Sequence, residues 1–160
     1  MCGEEVVEAL LAGLARSQLP CGLIVCAIRT ESPEETLRAA ELAACYAGRG
    51  VIGFDLAGAE RGFPPSAHTK AFAHARNAGL GLTCVSGEFD VGSRVREAAT
   101  LGATRIGHGV HIMSSSTPTE SSCWVDEALS RGLHFEVCPS SNVHTGAVAS
   151  LAAHPICAML

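Results

Sequence analysis

Aromatic residues are scarce in this chain, at 4% of 160 residues, and charged residues reach only 17%. The core must therefore be built from small and branched apolar side chains, chiefly Ala, Leu and Val. No basic run occurs and the formal net charge is −5. The chain thus lacks the electrostatic footprint of a protein that binds nucleic acid or an anionic membrane, and neither is expected as a partner. No apolar stretch approaches the roughly 20 residues that cross a bilayer. The acidic start Met1-Cys2-Gly3-Glu4-Glu5 is unlike a signal peptide. The eight cysteines never form C-x-x-C, which removes the usual zinc-finger and thioredoxin spacings. Cys26, Cys84 and Cys138 lie inside apolar runs and read as reduced, buried thiols. The expected setting is therefore reducing and cytoplasmic.

What is present is a repeat. Hydrophobic content is 48%, which suits strands covered on both faces, and the length suits one domain spanning residues 1–160. Glu4 to Ser17 carries Val7, Leu10, Leu11 and Leu14 at helical spacing. Leu23 to Ile28 is a continuous apolar run, read as a strand. Ser32-Pro33-Glu34-Glu35 opens a helix, with Ser as N-cap, Pro at the first position and acids in the first turn. That helix is expected to reach about Ala47. Further strands are expected at Val51–Phe54, Gly81–Val85, Thr104–His108 and His134–Cys138. The helices between them are expected at Ser66–Ala78, Ser93–Leu101 and Trp124–Ser130, with a polar loop at Ser114–Pro118 and, after Pro139-Ser140-Ser141-Asn142, a tail made of a loop and a possible helical turn. This is the βα repeat of a parallel sheet. Pattern alone leaves two architectures open, a doubly wound sheet and an arc of a (β/α)8 TIM barrel. A barrel takes about 250 residues, so the second reading makes the chain a fragment.

Two strand ends carry candidate chemistry. Glu88 follows Gly87 at the end of one strand, and His108 lies between Gly107 and Gly109 at the end of the next. On neighbouring parallel strands, roughly 4.8 Å apart, a carboxylate and an imidazole would meet at the sheet end where parallel folds place their sites. Such a pair can do general acid–base work. His111 could line the same site. His68 and His74, six residues apart on a helix, read as solvated side chains, and His134 as structural. Gly107-His108-Gly109 does not continue into G-x-G-x-x-G, because residue 112 is Ile. Ser86 lacks the G-x-S-x-G elbow. The H-x-E and P-C-x-x-C pair of the cytidine-deaminase zinc site is missing.

Four ordered motifs resemble one family. Gly53-Phe54-Asp55-Leu56-Ala57-Gly58-Ala59-Glu60 is similar to G-x-D-L-A-G-x-E, and Thr83-Cys84-Val85-Ser86-Gly87-Glu88 to T-x-H-A-G-E. Arg105-Ile106-Gly107-His108-Gly109 matches R-I-G-H-G. Glu136-Val137-Cys138-Pro139-Ser140-Ser141-Asn142, with Thr145-Gly146 and His154-Pro155, matches E-V-C-P-x-S-N…T-G…H-P. The family is adenosine deaminase, in the metal-dependent hydrolase superfamily of (β/α)8 barrels, with the bacterial branch nearest. The resemblance implies a partial barrel, about strands 3–7 with their helices, truncated at both ends. It implies zinc-dependent hydrolytic deamination of adenosine or deoxyadenosine, giving the inosine product and ammonia. Glu88 would donate a proton to the purine ring, His108 would orient and deprotonate a water on the metal, and the Gly58 N–H would hold the purine.

The metal centre departs from the family. Its H-x-H occurs nowhere here, the final-strand Asp has no counterpart, and the His of T-x-H-A-G-E is Val85. Cys84 could ligate zinc, but strand alternation turns it to the other face. The expectations are no zinc bound by this chain, no deamination by it alone, and self-association through open strand edges. A non-catalytic remnant that binds a purine or a partner chain is the alternative.

Overall fold

The computed structural model describes residues 3–113 and 118–160, the side chains of 118–121 excepted. Five strands alternate with helices. Helix α1 (Gly3–Leu14) precedes β1 (Leu23–Ile28), and α2 (Pro33–Cys45) leads to β2 (Val51–Ala57). A 3-10 turn (Pro65–His68) runs into α3 (Thr69–Asn77), followed by β3 (Gly81–Ser86), α4 (Ser93–Thr100) and β4 (Arg105–His108). Helix α5 (Pro118–Ser130) precedes β5 (His134–Glu136), then α6 (Pro139–His144), a 3-10 turn (Leu151–Ala153) and α7 (Ile156–Met159). The loop expected at Ser114–Pro118 falls on residues 114–117, outside the described residues, and Pro118 itself opens α5. None of the helices among the described residues is long and apolar enough to cross a membrane.

The sheet order is β1-β2-β3-β4-β5, and every pair is parallel. Right-handed crossovers between sequential neighbours place every intervening helix on the same face. That is the singly wound arc of a barrel and not a doubly wound sheet, which settles the two architectures left open above. It also corrects an expectation. The β1 run looked covered on both faces, yet Ile24 and Ile28 are exposed, because no helix packs on their side. Cys26 shares that bare face and is exposed, as is Cys138 beyond β5; Cys84 is the buried thiol.

The covered face is a dry core. Phe54 of β2 meets Phe72 of α3 edge to face, with centroids 5.7 Å apart. Ala40, Ala43, Ala71, Ala75 and Ala98 let the helices approach this layer closely. The start of α2 is a full capping box, with Ser32 Oγ accepting from the Glu35 N–H at 3.2 Å and Glu35 Oε2 accepting from the Ser32 N–H at 3.1 Å.

His68 departs from its expected solvated state. It closes the 3-10 turn, is 2% exposed, and lies 2.8 Å from Thr36 Oγ1 and 3.2 Å from the Arg29 carbonyl. Its helical wheel misled because the segment does not begin as an α-helix. Burial lowers the His68 pKa below its ordinary value, against the opposing pull of the Arg29 carbonyl. A His depressed in the folded state adds stability above the unfolded pKa of about 6.5, and that stability is lost as pH falls through the folded value. Urea unfolding at about pH 7.5 and about pH 5.5 should show the loss, at no more than about 1.4 kcal/mol per pH unit from this group. In His68→Gln the difference between the two conditions should shrink; an equal acid sensitivity in the variant would contradict the assignment.

Candidate active site

Four strand ends build the site. Val85 of β3 pairs with Gly107 of β4, and Ser86 with His108, so Glu88 and His108 leave adjacent strands at the same end. Gly87 makes this geometry. Its φ is +73°, and a Cβ there would stand 2.9 Å from Val95 Cγ2 and 3.4 Å from Gly109 Cα, so no side chain fits. The Gly109 N–H donates to Ser86 O at 3.0 Å and the His111 N–H to Gly87 O at 2.9 Å, tying the two loops together.

His108 has φ +67°, the only positive value at a non-glycine among the described residues. Left-handed backbone at such a residue costs about 1–2 kcal/mol. It turns the imidazole off the regular strand alternation and toward Glu88: Nε2 stands 3.5 Å from Glu88 Oε2. Both side chains are largely withdrawn from solvent.

The expected pair proves to be part of a larger cluster. Asn142, fully buried in α6, places Nδ2 at 3.1 Å from Glu88 Oε1 and 3.0 Å from His108 Nδ1. Thr145 Oγ1 donates to Glu88 Oε1 at 3.2 Å. His154 Nε2 lies 3.2 Å from Asn142 Oδ1. In the sequence these residues stand out only as motif positions, with no role attached. Pro139 is the first residue of a helix, which carries Asn142 inward.

Glu60 is the second addition. It is buried, and its carboxylate accepts three consecutive backbone N–H groups, from Gly87 at 2.6 Å, Glu88 at 2.8 Å and Phe89 at 2.6 Å. The turn carrying Glu88 is therefore held by an anion from the loop that carries Gly58. Gly58 itself has φ +102°, and a Cβ there would stand 3.2 Å from Ile28 Cγ2. Below both loops lies Arg29, 1% exposed, whose guanidinium donates to the carbonyls of Val85, Leu56 and Phe63.

The bare face of the sheet is polar at mid-height. Cys26 Sγ donates to Asp55 Oδ2 at 3.3 Å, while Asp55 Oδ1 is buried without a partner. Burial raises the Asp55 carboxyl. Partial desolvation where the thiol lies against the sheet, with the charge and hydrogen bond of Asp55, pushes Cys26 up to about 12. At about pH 8 only roughly one thiol in ten thousand would be ionised, so Cys26 should alkylate far more slowly than an ordinary exposed thiol. Mass-mapped iodoacetamide labelling should show this, with at least about a tenfold gain in Asp55→Asn; a Cys26 rate matching those of Cys21 and Cys157 would contradict it.

A zinc ion does not fit these side chains. Val85 points to the bare face with no lone pair, and Cys84 lies on the opposite face against Ser86 Oγ at 3.5 Å. No group of three His, Cys, Asp or Glu suited to a metal occurs among the described residues.

The family model for adenosine deaminase matches residues 1–160. The chain is 39% identical over 168 aligned residues to an adenosine deaminase of Mycobacterium ulcerans, covering 95% of this chain and 46% of that one. Its fold is similar to an adenine deaminase from Arthrobacter aurescens, with TM-score 0.80 and 31% identity over 96% of this chain and 45% of that chain. It is also similar in fold to an amidohydrolase of Burkholderia ambifaria with bound zinc, with TM-score 0.72 and 24% identity over 86% of this chain and 36% of that chain. The chain spans about half the length of the curated relatives it matches.

Proposed function

The chain belongs to the adenosine deaminase family, and from that premise we propose that it carries the acid–base and purine-binding part of a hydrolytic purine deaminase site. The substrate class is a 6-aminopurine nucleoside such as adenosine or deoxyadenosine. In the whole reaction, water adds at the purine carbon bearing the amino group and ammonia leaves. The observation that supports this most is the convergence of Glu88, His108 and Asn142 at the ends of β3 and β4. Glu88 supplies the proton to the purine ring nitrogen, and the Glu60 clamp fixes the backbone that presents it. His108 orients the attacking water. The Gly58 N–H meets the purine edge, where a glycine backbone lets the base approach closely.

The family's zinc would polarise that water. Val85 offers no lone pair to hold it, so this chain binds a purine without turning it over. Val85 thus favours the second reading, a non-catalytic remnant of a deaminase. Its free thiols suit a reducing, cytoplasmic setting.

Calorimetric titration of the chain with purine riboside tests the reading. Saturable binding with Kd below about 1 mM, worth about 4 kcal/mol, is expected. Glu88→Gln should weaken it roughly tenfold, or about 1.4 kcal/mol. A flat titration would overturn the purine assignment.

A further inference from the structure

The protonation pattern of His108 is dictated from a backbone amide. The Ile156 N–H donates to His154 Nδ1 at 3.0 Å. A backbone N–H can only donate, so Nδ1 of His154 accepts, and the neutral ring carries its proton on Nε2. That Nε2–H points at Asn142 Oδ1, 3.2 Å away. The amide oxygen is then taken, which fixes the flip of Asn142 and leaves its NH2 facing Glu88 Oε1 and His108 Nδ1. An NH2 group has no acceptor capacity. His108 Nδ1 must therefore accept, and the proton of a neutral His108 lies on Nε2, facing Glu88 Oε2.

We propose that His154 is a positioning residue which, through Asn142, holds His108 as the Nε2–H tautomer. The ring then acts toward the site as a hydrogen-bond donor, because its lone pair is committed to Asn142. Asn142 is fully buried and His154 is 7% exposed, so bulk water offers neither a substitute partner. An imidazolium at His108 would set Nδ1–H against the Asn142 NH2, donor facing donor. Reversing Asn142 would demand a lone pair on His154 Nε2 while Nδ1 already accepts from Ile156, which a neutral ring cannot supply. His108 therefore orients the water of the proposed deaminase site by donation and does not remove its proton at Nε2. Only this last step rests on the deaminase reading.

Long-range 1H–15N correlation spectra of the 15N-labelled chain, recorded without purine, read the tautomer of each ring. The wild type should show His108 and His154 protonated at Nε2, with the lone-pair type of signal at both Nδ1 atoms. In His154→Leu only Glu88 Oε1 still orders the amide, and His108 should lose the pure Nε2–H pattern by gaining an Nδ1–H population. In His154→Gln, whose side-chain NH2 can still donate to Asn142 Oδ1, the pattern should persist. Asn142→Asp, which presents an acceptor, should move the His108 proton to Nδ1. A wild-type His108 protonated at Nδ1 overturns the proposal, as does an unchanged His108 in a folded His154→Leu. If His154→Leu does not fold, the wild-type, His154→Gln and Asn142→Asp spectra decide by the same signals. A failed purine titration would leave this result untouched, and the reverse also holds.

Discussion

Replacing Glu60 by Leu is expected to remove about 3–4 kcal/mol of stability, lowering Tm by roughly 10 °C. The three N–H groups of Gly87, Glu88 and Phe89 donate to one buried carboxylate at 2.6–2.8 Å. These bonds are charge-assisted and short. Leu fills the space but leaves the donors unpaired in a buried position, and each such donor costs about 1–3 kcal/mol. Partial access of water at Phe89 brings the sum to the lower end. Glu60→Gln should cost less, since its amide oxygen still accepts. Hydrogen exchange locates the effect: protection should fall at Gly87 to Phe89 and persist at the β2–β3 ladder. A change under about 0.5 kcal/mol, the range of an ordinary surface substitution, would show that the clamp contributes little.

Asn142→Leu is the second large effect. Leu is close to isosteric with Asn and better suited to a buried site, so packing alone argues for a neutral change. Hydrogen bonding decides otherwise. His108 Nδ1 and His154 Nε2 each lose the partner seen at 3.0 and 3.2 Å, while Glu88 retains Thr145. Two orphaned ring nitrogens at about 1–3 kcal/mol each give a loss of about 3 kcal/mol. Purine riboside binding should fall with it, because Glu88 and His108 lose their common anchor. Denaturant unfolding with an unchanged m-value would report the loss as stability and not as a changed denatured state. An Asn142→Leu chain as stable as wild type would mean that water has entered and replaced the amide.

Much of this was readable before the fold. The βα alternation follows from apolar runs of strand length broken by helix signals, and the Ser32–Glu35 capping box is explicit in Ser-Pro-Glu-Glu. The motif positions that carry Glu88 and His108 do fall at the ends of adjacent strands. What failed was in each case set by tertiary structure. An apolar run was taken as a strand covered twice, so Cys26 was expected to be buried, but strand order rather than strand composition determines which face the helices cover. Asn142 stood out only as a motif position, because nothing local to Pro-Ser-Ser-Asn shows that the helix Pro139 begins carries the amide to the site. His68 was set on an α-helical wheel that its 3-10 turn does not follow. Glu60 was assigned only to a motif, since a carboxylate that accepts main-chain donors from a loop 27 residues on leaves no local pattern.

We propose that this chain presents the acid–base and purine-binding side of a deaminase site without a zinc centre of its own. The direct measurement is metal content and adenosine turnover on the same purified sample, in wild type and in Val85→His. The expected result is far less than one zinc per wild-type chain and no loss of adenosine ultraviolet absorbance, with metal content no higher in Val85→His, because one His without the family's other ligands holds no zinc. One tightly bound zinc per wild-type chain, with adenosine consumed, would contradict it.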